Sequence, residues 1–480
     1  MTSTVACEDY APQLARAFAG PPWEGSQIPD VEGELPAFVD GTLFMNGPAH
    51  FARGGIRYRH WLDGDGMVCA LRVDRRGVHL TTRYVNCRRH AEEVSAERAI
   101  FRAFGTAFSG DRLCRIGLES PINVSVFPYC GRLLAFGEQG LPWDLDPSTL
   151  ETRGPFTFSG ALNEISPFSA HAKIDTETGE LFNIGVSFST DQPILNAYRF
   201  DSEARQIYRR RLPLPYACSI HDFSLARRHL LIHISPYLLD ISRVLEGGAS
   251  LLDAMSWHPE WDSRLWILDR ESGRLLCDIG LPATYVLHHA AAAETAEGIA
   301  LDVLELDEPV YAQYMLETLF EDIGPGRPVR LVVDPDRGEC VNRLEHAYSN
   351  APDFPSTDAA SPGAPYSRLW MLGISNAGRR GRKFFDELVQ VDWQSLLSAR
   401  MYRAPGGSYM AGEPVFIGDP GDASGGAVIC PMLDPDQNRT VFGFFDACAI
   451  EAGPIARVIV RPALHAMFHG VFVARAADDA

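Results

Sequence analysis

Residues 173–181 read KIDTETGEL: an apolar residue, an Asp, a short polar run, a Gly and a second apolar residue. An Asp carboxylate accepts from the backbone of its own turn, and Gly takes the positive φ that closes a short loop between twisted strands. The stretch is therefore read as a β-hairpin. The same punctuation returns in RVDRRGVHL (72–80), ILDRESGRL (267–275) and VVDPDRGEC (332–340). Looser copies without that Gly stand at LDPSTLETRG (145–154) and RFDSEARQIYRR (199–210). Between them lie β-branched and aromatic runs such as GVHLTTRYV and RLWILD. Short strands recurring with turn signals predict an all-β repeat architecture, and a β-propeller is the form that closes such repeats with few exposed edges.

Other stretches read as insertions into that pattern. The run 349–366, dense in Pro, Ser, Ala and Asp, is expected to be a long loop. Segments 12–19, 91–104 and 238–255 are compatible with helices that would cap one face of the disc. No stretch is long enough to serve as a linker, so residues 1–480 are expected to form a single domain. The DGDG run at 63–66 lacks the further carboxylates of a calcium loop and is read as a tight hairpin turn, which leaves His60 a structural residue.

Composition narrows the function. With 46% hydrophobic and 22% charged residues the chain can build a large core. Forty-three Lys and Arg against 62 Asp and Glu give a net charge of −19. That argues against a phosphate-backbone partner, which needs a basic footprint, and disfavours electrostatic docking to anionic lipid. Ten cysteines, at 7, 69, 87, 114, 130, 218, 277, 340, 430 and 448, form no close pair and fit reduced thiols in a cytosol. The first twenty residues carry acids and no basic start before an apolar core, so a secretory leader is not expected. The charge-free apolar run 229–239 is far shorter than the roughly 20 residues of a membrane span. A cytoplasmic protein, at most peripheral to a membrane, is expected.

Four of the fourteen histidines stand in short apolar runs with distinctive contexts: His171 in SAHAKID, His221 in SIHDFSL, His288 in VLHHAAAAE and His469 in MFHGVFV. A lone His in an apolar strand is more often a core residue than a ligand. Four neutral imidazoles together, without Cys or carboxylate, would leave Fe(II) its double positive charge and open positions for a gas. Their spacings of 50, 67 and 181 residues are wrong for a local metal knuckle. They suit a propeller, in which inner strands of different blades aim side chains at one axis, with gaps of about one, one and three blades.

These four contexts resemble those of the carotenoid cleavage oxygenases, a family whose non-haem iron is held by four histidines at the centre of a seven-bladed β-propeller. GTLFMNGP (41–48) and HWLDGDGM (60–67) are similar to the family's opening signature, and GEQGLPWDLDPSTLET (137–152) to a further block, so the resemblance covers nearly the whole chain. It implies an all-β seven-bladed propeller with a helical or loop cap. It also selects His288 over His289, because neighbouring strand side chains face opposite ways. His469 is selected over His465 because Gly470 and Phe472 follow it.

The family orients its histidines with three glutamates. Glu138 matches the first, and Asp353, in Asp353-Phe354-Pro355, stands where the family has Glu-Phe-Pro. In place of the family's last acidic run the chain has GDASGG, where Asp422 is the nearby acid, so the third glutamate is expected to be missing. After the third histidine, the family's Asn and aromatic appear as Ala291 and Ala293, with Glu294 retained.

The resemblance implies an Fe(II)-dependent dioxygenase that splits a carbon–carbon double bond of an apolar conjugated substrate into two carbonyl products, with Fe(2+) and O₂ and no organic cofactor. Members that cleave stilbenes or phenylpropenoids hold the phenol oxygen with a Tyr and a Lys. The matching positions here are Phe104 and Gly137, which favours a carotenoid or apocarotenoid. The stretch 41–67 is also similar to bacterial apocarotenoid cleavers that release retinal. Three other readings stand beside this one: a stilbene or phenylpropenoid oxygenase, an isomerase using iron as a Lewis acid, and a non-catalytic propeller that binds its ligand. Segment 232–255, rich in Leu and Ile, reads either as a cap helix packed on the disc or as an apolar rim that touches a membrane, with Leu238 and Leu239 in that rim.

Overall fold

In the computed structural model, which describes residues 8–18, 22–113, 119–188 and 192–475, the 173–181 stretch is the expected hairpin. Its strands Lys173–Ile174 and Leu181–Ser187 pair antiparallel. The Asp175 carboxylate accepts from Glu177 N at 2.9 Å, Gly179 N donates to Asp175 O at 2.7 Å, and Gly179 has φ 71°. The turns at 269–273 and 334–338 repeat this, with Gly273 at φ 66° and Gly338 at 65°. Where the Gly is lacking, Leu150 (φ 58°) and Ala204 (φ 62°) take the left-handed conformation instead.

These hairpins belong to seven antiparallel sheets of four strands or more, the blades of a propeller. The strands nearest the axis are Gly470–Ala474 in blade I, Ser125–Tyr129 in II and Lys173–Ile174 in III. Ser224–Leu225, Tyr285–Thr295, Asp353–Thr357 and Val415–Asp419 follow in blades IV to VII. The ring closes twice. The C-terminal strand Gly470–Ala474 pairs with Gly41–Ala49 inside blade I, and the N-terminal strand Asp30–Gly33 pairs with Pro454–Val460 at the outer edge of blade VII. Apolar clusters fill the gaps between neighbouring blades. Leu231, Leu265, Leu301 and Leu331 pack blade IV on V, while Phe182, Ile184, Leu230 and Trp266 pack III on IV. Each sheet thus buries both faces.

The cap is less helical than its sequence suggested. Arg88–Ala96 ends at Glu97, which is left-handed at φ 52°, so residues 97–104 leave the helix. Of 12–19 only Leu14–Ala17 is helical, with Ala19 outside the described residues. Of 238–255 only Ile241–Leu245 is an α-helix, capped by the Asp240 carboxylate on Ser242 N and ended by Gly247 and Gly248. Tyr237–Leu239 pairs with Met255–Trp257 as a ribbon. The 349–366 run is not all loop, since it contains the inner strand of blade VI. Nor is DGDG a hairpin turn: Trp61–Asp63 is a 3-10 turn, and buried Asp63 accepts from Gly105 N and Thr106 Oγ1 at 2.9 and 2.6 Å. His60 is structural, bonded to Tyr311 O at 2.8 Å.

Candidate metal centre

Each of the four histidines stands at the start of an inner strand or within one. His171 precedes Lys173 in blade III, His221 precedes Ser224 in IV, and His469 directly precedes Gly470 in blade I. His288 lies in Tyr285–Thr295 of blade V, where the register shifts between Val286 and His289. That bulge sends His289 to Ser224 Oγ at 3.2 Å, away from the axis. The order of blades III, IV, V and I reproduces the expected gaps.

The signature 41–48 explains its own composition here. Asn46 Nδ2 donates to Ile122 O and Ser125 O, both at 3.0 Å, and Asn46 N donates to His469 O at 3.0 Å. A Cβ on Gly47 would meet Met467 Cα at 2.6 Å, and one on Gly470 would meet Phe44 O at 2.7 Å. Only glycines let the two segments approach closely enough to fix His469.

One ring nitrogen from each of His171, His221, His288 and His469 lies within 4.8 Å of the other three. The Nε2 atoms of His171 and His221 are 2.8 Å apart, and the rings stand edge to face with centroids 4.4 Å apart. His288 Nε2 is buried with no hydrogen-bond partner. An orphaned imidazole nitrogen facing three others is what a missing cation would satisfy, so the donor set fits a metal. His465 is also buried but is not in the cluster.

Carboxylates hold three of the four rings from behind. Glu138 Oε1 is 2.9 Å from His221 Nδ1, and Asp353 Oδ1 is 2.5 Å from His288 Nδ1. The shorter acid reaches because Asp353 sits at a register shift and Phe354 turns left-handed at φ 54°, with Phe354 N donating to Asp353 Oδ1. Positive φ in a bulky residue is strained, and such strain concentrates at functional sites.

The third carboxylate is present and is not Asp422. Asp422 is exposed and bonds Ser424. Glu413 takes the place, with Oε1 3.3 Å from His469 Nδ1 and Oε2 accepting from Gly470 N at 3.1 Å. It was missed because GDASGG lies beyond the inner strand Val415–Asp419, whereas the acid stands before it. The available signal was an acid one or two residues before a Pro at the start of an inner strand, as in Glu413-Pro414 and Asp353-Phe354-Pro355. The seven blades therefore divide: I, III, IV and V bring histidines, and II, VI and VII bring carboxylates.

A second layer was not read from sequence. The 3-10 turn Tyr311–Tyr314 sends one phenol to each of two carboxylates. Tyr311 OH donates to Glu138 Oε1 and Tyr314 OH to Asp353 Oδ2, both at 3.1 Å. His171 alone lacks a hydrogen-bonded carboxylate among the described residues. Its Nδ1 lies 3.9 Å from Asp222 Oδ1, an acid also bound by Lys173 Nζ at 2.8 Å.

Burial, with three neighbouring imidazoles, holds the pKa of His171 well below its ordinary value. Burial likewise outweighs Asp353 in keeping His288 low. Both rings are thus neutral at pH 7, the form a cation binds. Burial works the same way on His221, but the Glu138 carboxylate overcomes it and raises that pKa. Asp222 is pulled to about 2, since Lys173 and the nearby imidazoles prevail over burial.

Two cavities approach the centre from different sides. On the cap side a cavity of about 290 Å³ is lined by Trp143, Ile165, Phe188, Ile241, Leu245 and Leu251. It meets a narrower cleft at Glu119, Ser120, Gln139 and Leu251, and that cleft ends at Phe104 and Glu138. Phe104 is buried against Tyr311, ring centroids 5.0 Å apart. At Gly137 a Cβ would lie 1.8 Å from Ser120 Oγ, so no longer side chain fits there as the chain is arranged. On the opposite side a second cavity of about 490 Å³ reaches His171, His288, His469 and Glu413. Ala291 lines that one, not the cap-side route.

The centre has relatives. The apocarotenoid-15,15'-oxygenase of Synechocystis sp. is 28% identical over 488 residues, covering 98% of each chain. The isoeugenol monooxygenase of Pseudomonas nitroreducens is 26% identical over 93% of this chain and 94% of its own length. The crystal structure of cobalt-substituted Synechocystis ACO superposes with a TM-score of 0.87 at 25% identity, over 98% of this chain and 100% of that one. Residues 21–474 match the family described as retinal pigment epithelial membrane protein, and with that match over most of its length the chain belongs to this carotenoid oxygenase family.

Proposed function

We propose that the protein is an Fe(II)-dependent dioxygenase that cleaves a carbon–carbon double bond of a carotenoid or apocarotenoid to two carbonyl products. The observation that carries this is the convergence of four imidazole nitrogens within 4.8 Å of one another on the propeller axis, three of the rings held by carboxylates. His171, His221, His288 and His469 hold the metal through the nitrogens they turn to the axis. Iron, when bound, supplies the capacity to bind and activate dioxygen. Glu138, Asp353 and Glu413 accept the far ring N–H of their histidines, which fixes each tautomer and aims each lone pair inward. Phe104 lines the inner end of the cap-side cleft, and Tyr311, Phe354 and Phe468 pack against the ligand rings and exclude water from them.

Phenolic substrates fit less well. A stilbene or phenylpropenoid oxygenase would need polar partners for the phenol oxygen. Phe104 and Gly137 stand where such enzymes place a Tyr and a Lys, so neither of those two partners is present. An unpaired buried hydroxyl costs about 1–3 kcal/mol. The complete set of three carboxylates removes the reason for reading a non-catalytic module. The test is aerobic incubation of iron-loaded protein with apocarotenals, carotenoids and stilbenes, with products identified by mass. Two aldehydes from an apocarotenal are expected. Turnover confined to stilbenes would overturn the substrate assignment, and turnover without oxygen consumption would favour the isomerase.

The mouth of the cap-side passage supports peripheral contact with a membrane, although not at the residues first singled out. Leu239 is buried and Leu238 sits in the ribbon with Ser256. Ile165 and Leu245, 53% and 44% exposed, flank the opening instead. No described helix is long and apolar enough to cross a bilayer. Attachment through these side chains is hydrophobic and should persist at high salt, where an electrostatic contact would be screened. Replacing Ile165 and Leu245 with Ser is expected to reduce liposome binding while sparing turnover in detergent. Liposome binding that disappears with salt would refute the contact.

A further inference from the structure

The two cavities share no lining residue among those described. The cap-side passage combines Trp143, Phe188 and Leu251 with Arg88, Glu119 and Gln139, and a long conjugated substrate seated in it would fill it. A second reactant must then arrive from elsewhere. The axial cavity offers that way. It runs from exposed Thr176 and Ala360 inward to His171, His288 and His469. Its walls mix apolar side chains, Phe127, Leu225 and Phe416 among them, with a polar patch that water can bind: Lys173 Nζ is 2.8 Å from Asp222 Oδ1, and Asp222 Oδ2 accepts from His289 N at 2.9 Å. Segment 359–363 borders its mouth, with Thr176 Oγ1 donating to Ala360 O across it at 3.4 Å.

The alanine run decides how open this cavity is. Ala290 packs on the cluster of Leu304, Leu369 and Met371, and Ala292 belongs to the cluster of Leu231, Leu301 and Leu331. Ala291 belongs to neither and is half-buried at the cavity wall, three residues beyond His288. Its methyl is the smallest Cβ-bearing group that could stand there, and it leaves the width of the channel unfilled.

We propose that the axial cavity is a separate route by which dioxygen and water reach the metal centre, with Ala291 setting its width. This rests on the dioxygenase reading above. No bond is made or broken in the channel. It separates a small, water-borne reactant from a large apolar one.

The test uses the full-length, iron-loaded protein and three variants: Ala291→Leu, Ala291→Phe, and Ala360→Trp at the exposed mouth, where folding is least at risk. Iron content and the thermal midpoint are measured first. Association of nitric oxide, a dioxygen surrogate, is then followed by optical stopped flow without organic substrate. A graded slowing, about tenfold for Ala291→Phe, is expected once passage must await side-chain motion. In steady state kcat/KM for O₂ should fall while KM for the apocarotenal stays the same. Equal nitric oxide rates in the parent and all three variants would overturn the route and leave the dioxygenase reading intact. A raised KM for the organic substrate would assign the cavity to that substrate and overturn the route as well. A parent protein that takes up iron but binds no nitric oxide would overturn the dioxygenase reading, and the route with it.

Discussion

Four imidazoles that converge on one point are a stable arrangement only if each ring is held by its far nitrogen. Glu138→Gln, Asp353→Asn and Glu413→Gln should each lower metal affinity by about 10–100-fold, because such partners fix the tautomer and basicity of a ligand. Chelator competition on the purified variants measures this directly. Tyr314→Phe should weaken it less. The change removes one hydrogen bond to Asp353 Oδ2, while the 2.5 Å contact of Oδ1 with His288 remains. If Glu413→Gln bound metal like the parent, the third carboxylate would be structural. These residues also mark how far the sequence could be read. The histidines were legible because each lies in a short run with its own neighbours, and Glu138 stood in a contiguous block. Glu413 was not, because it stands before the inner strand Val415–Asp419 in no conspicuous block, whereas the acid sought lay beyond that strand in GDASGG. Tyr311 and Tyr314 lie in an unremarkable run, and only folding brings them behind Glu138 and Asp353.

At the scale of the element, the Asp-to-Gly hairpin was legible because its chemistry is local. The Asp bonds its own turn, and the Gly adopts the left-handed φ within five residues. Gly338 isolates that second requirement. A Cβ there would have only Cys277 Cβ for a neighbour, at 3.7 Å, so Gly338→Ala meets backbone strain and no clash. It is expected to cost about 1–2 kcal/mol in chemical denaturation. Ala204→Gly should do the reverse at φ 62°, although the added freedom of the unfolded chain offsets part of the gain. A Gly338→Ala variant as stable as the parent would show that this turn relaxes. The cap helices were less legible for a related reason. Residues 238–255 carry enough Leu and Ile for a helical face, but whether they form a helix or a ribbon depends on a partner strand at Met255–Trp257 and on the break at Gly247 and Gly248.

On the scale of the whole molecule, the metal centre depends on ring closure, since its ligands come from four blades and His469 immediately precedes the closing strand. Gly470–Ala474 forms five register pairs with Gly41–Ala49, running from Met45 opposite Gly470 to Gly41 opposite Ala474. At roughly 0.5–1.5 kcal/mol for each hydrogen bond, this seam is worth on the order of 5 kcal/mol. Most of a typical domain's net stability is of that size. Truncation after His469 keeps every histidine and carboxylate of the site yet removes the seam. It should lower the unfolding midpoint and reduce metal occupancy together, because Gly470 N would no longer hold Glu413 behind His469 and the strand that follows the ligand would be gone. Residues 1–480 are expected to unfold in one cooperative transition, because neighbouring blades share their apolar clusters and the first and last described strands, Gly25–Gln27 and Gly470–Ala474, lie in the same blade. Differential scanning calorimetry of the parent and the truncated chain, with iron measured in parallel, checks both points. Two resolved transitions in the parent would divide the chain into separate folding units. A truncated protein that kept both its midpoint and its iron would show that the outer closure, Asp30–Gly33 on Pro454–Val460, holds the ring by itself.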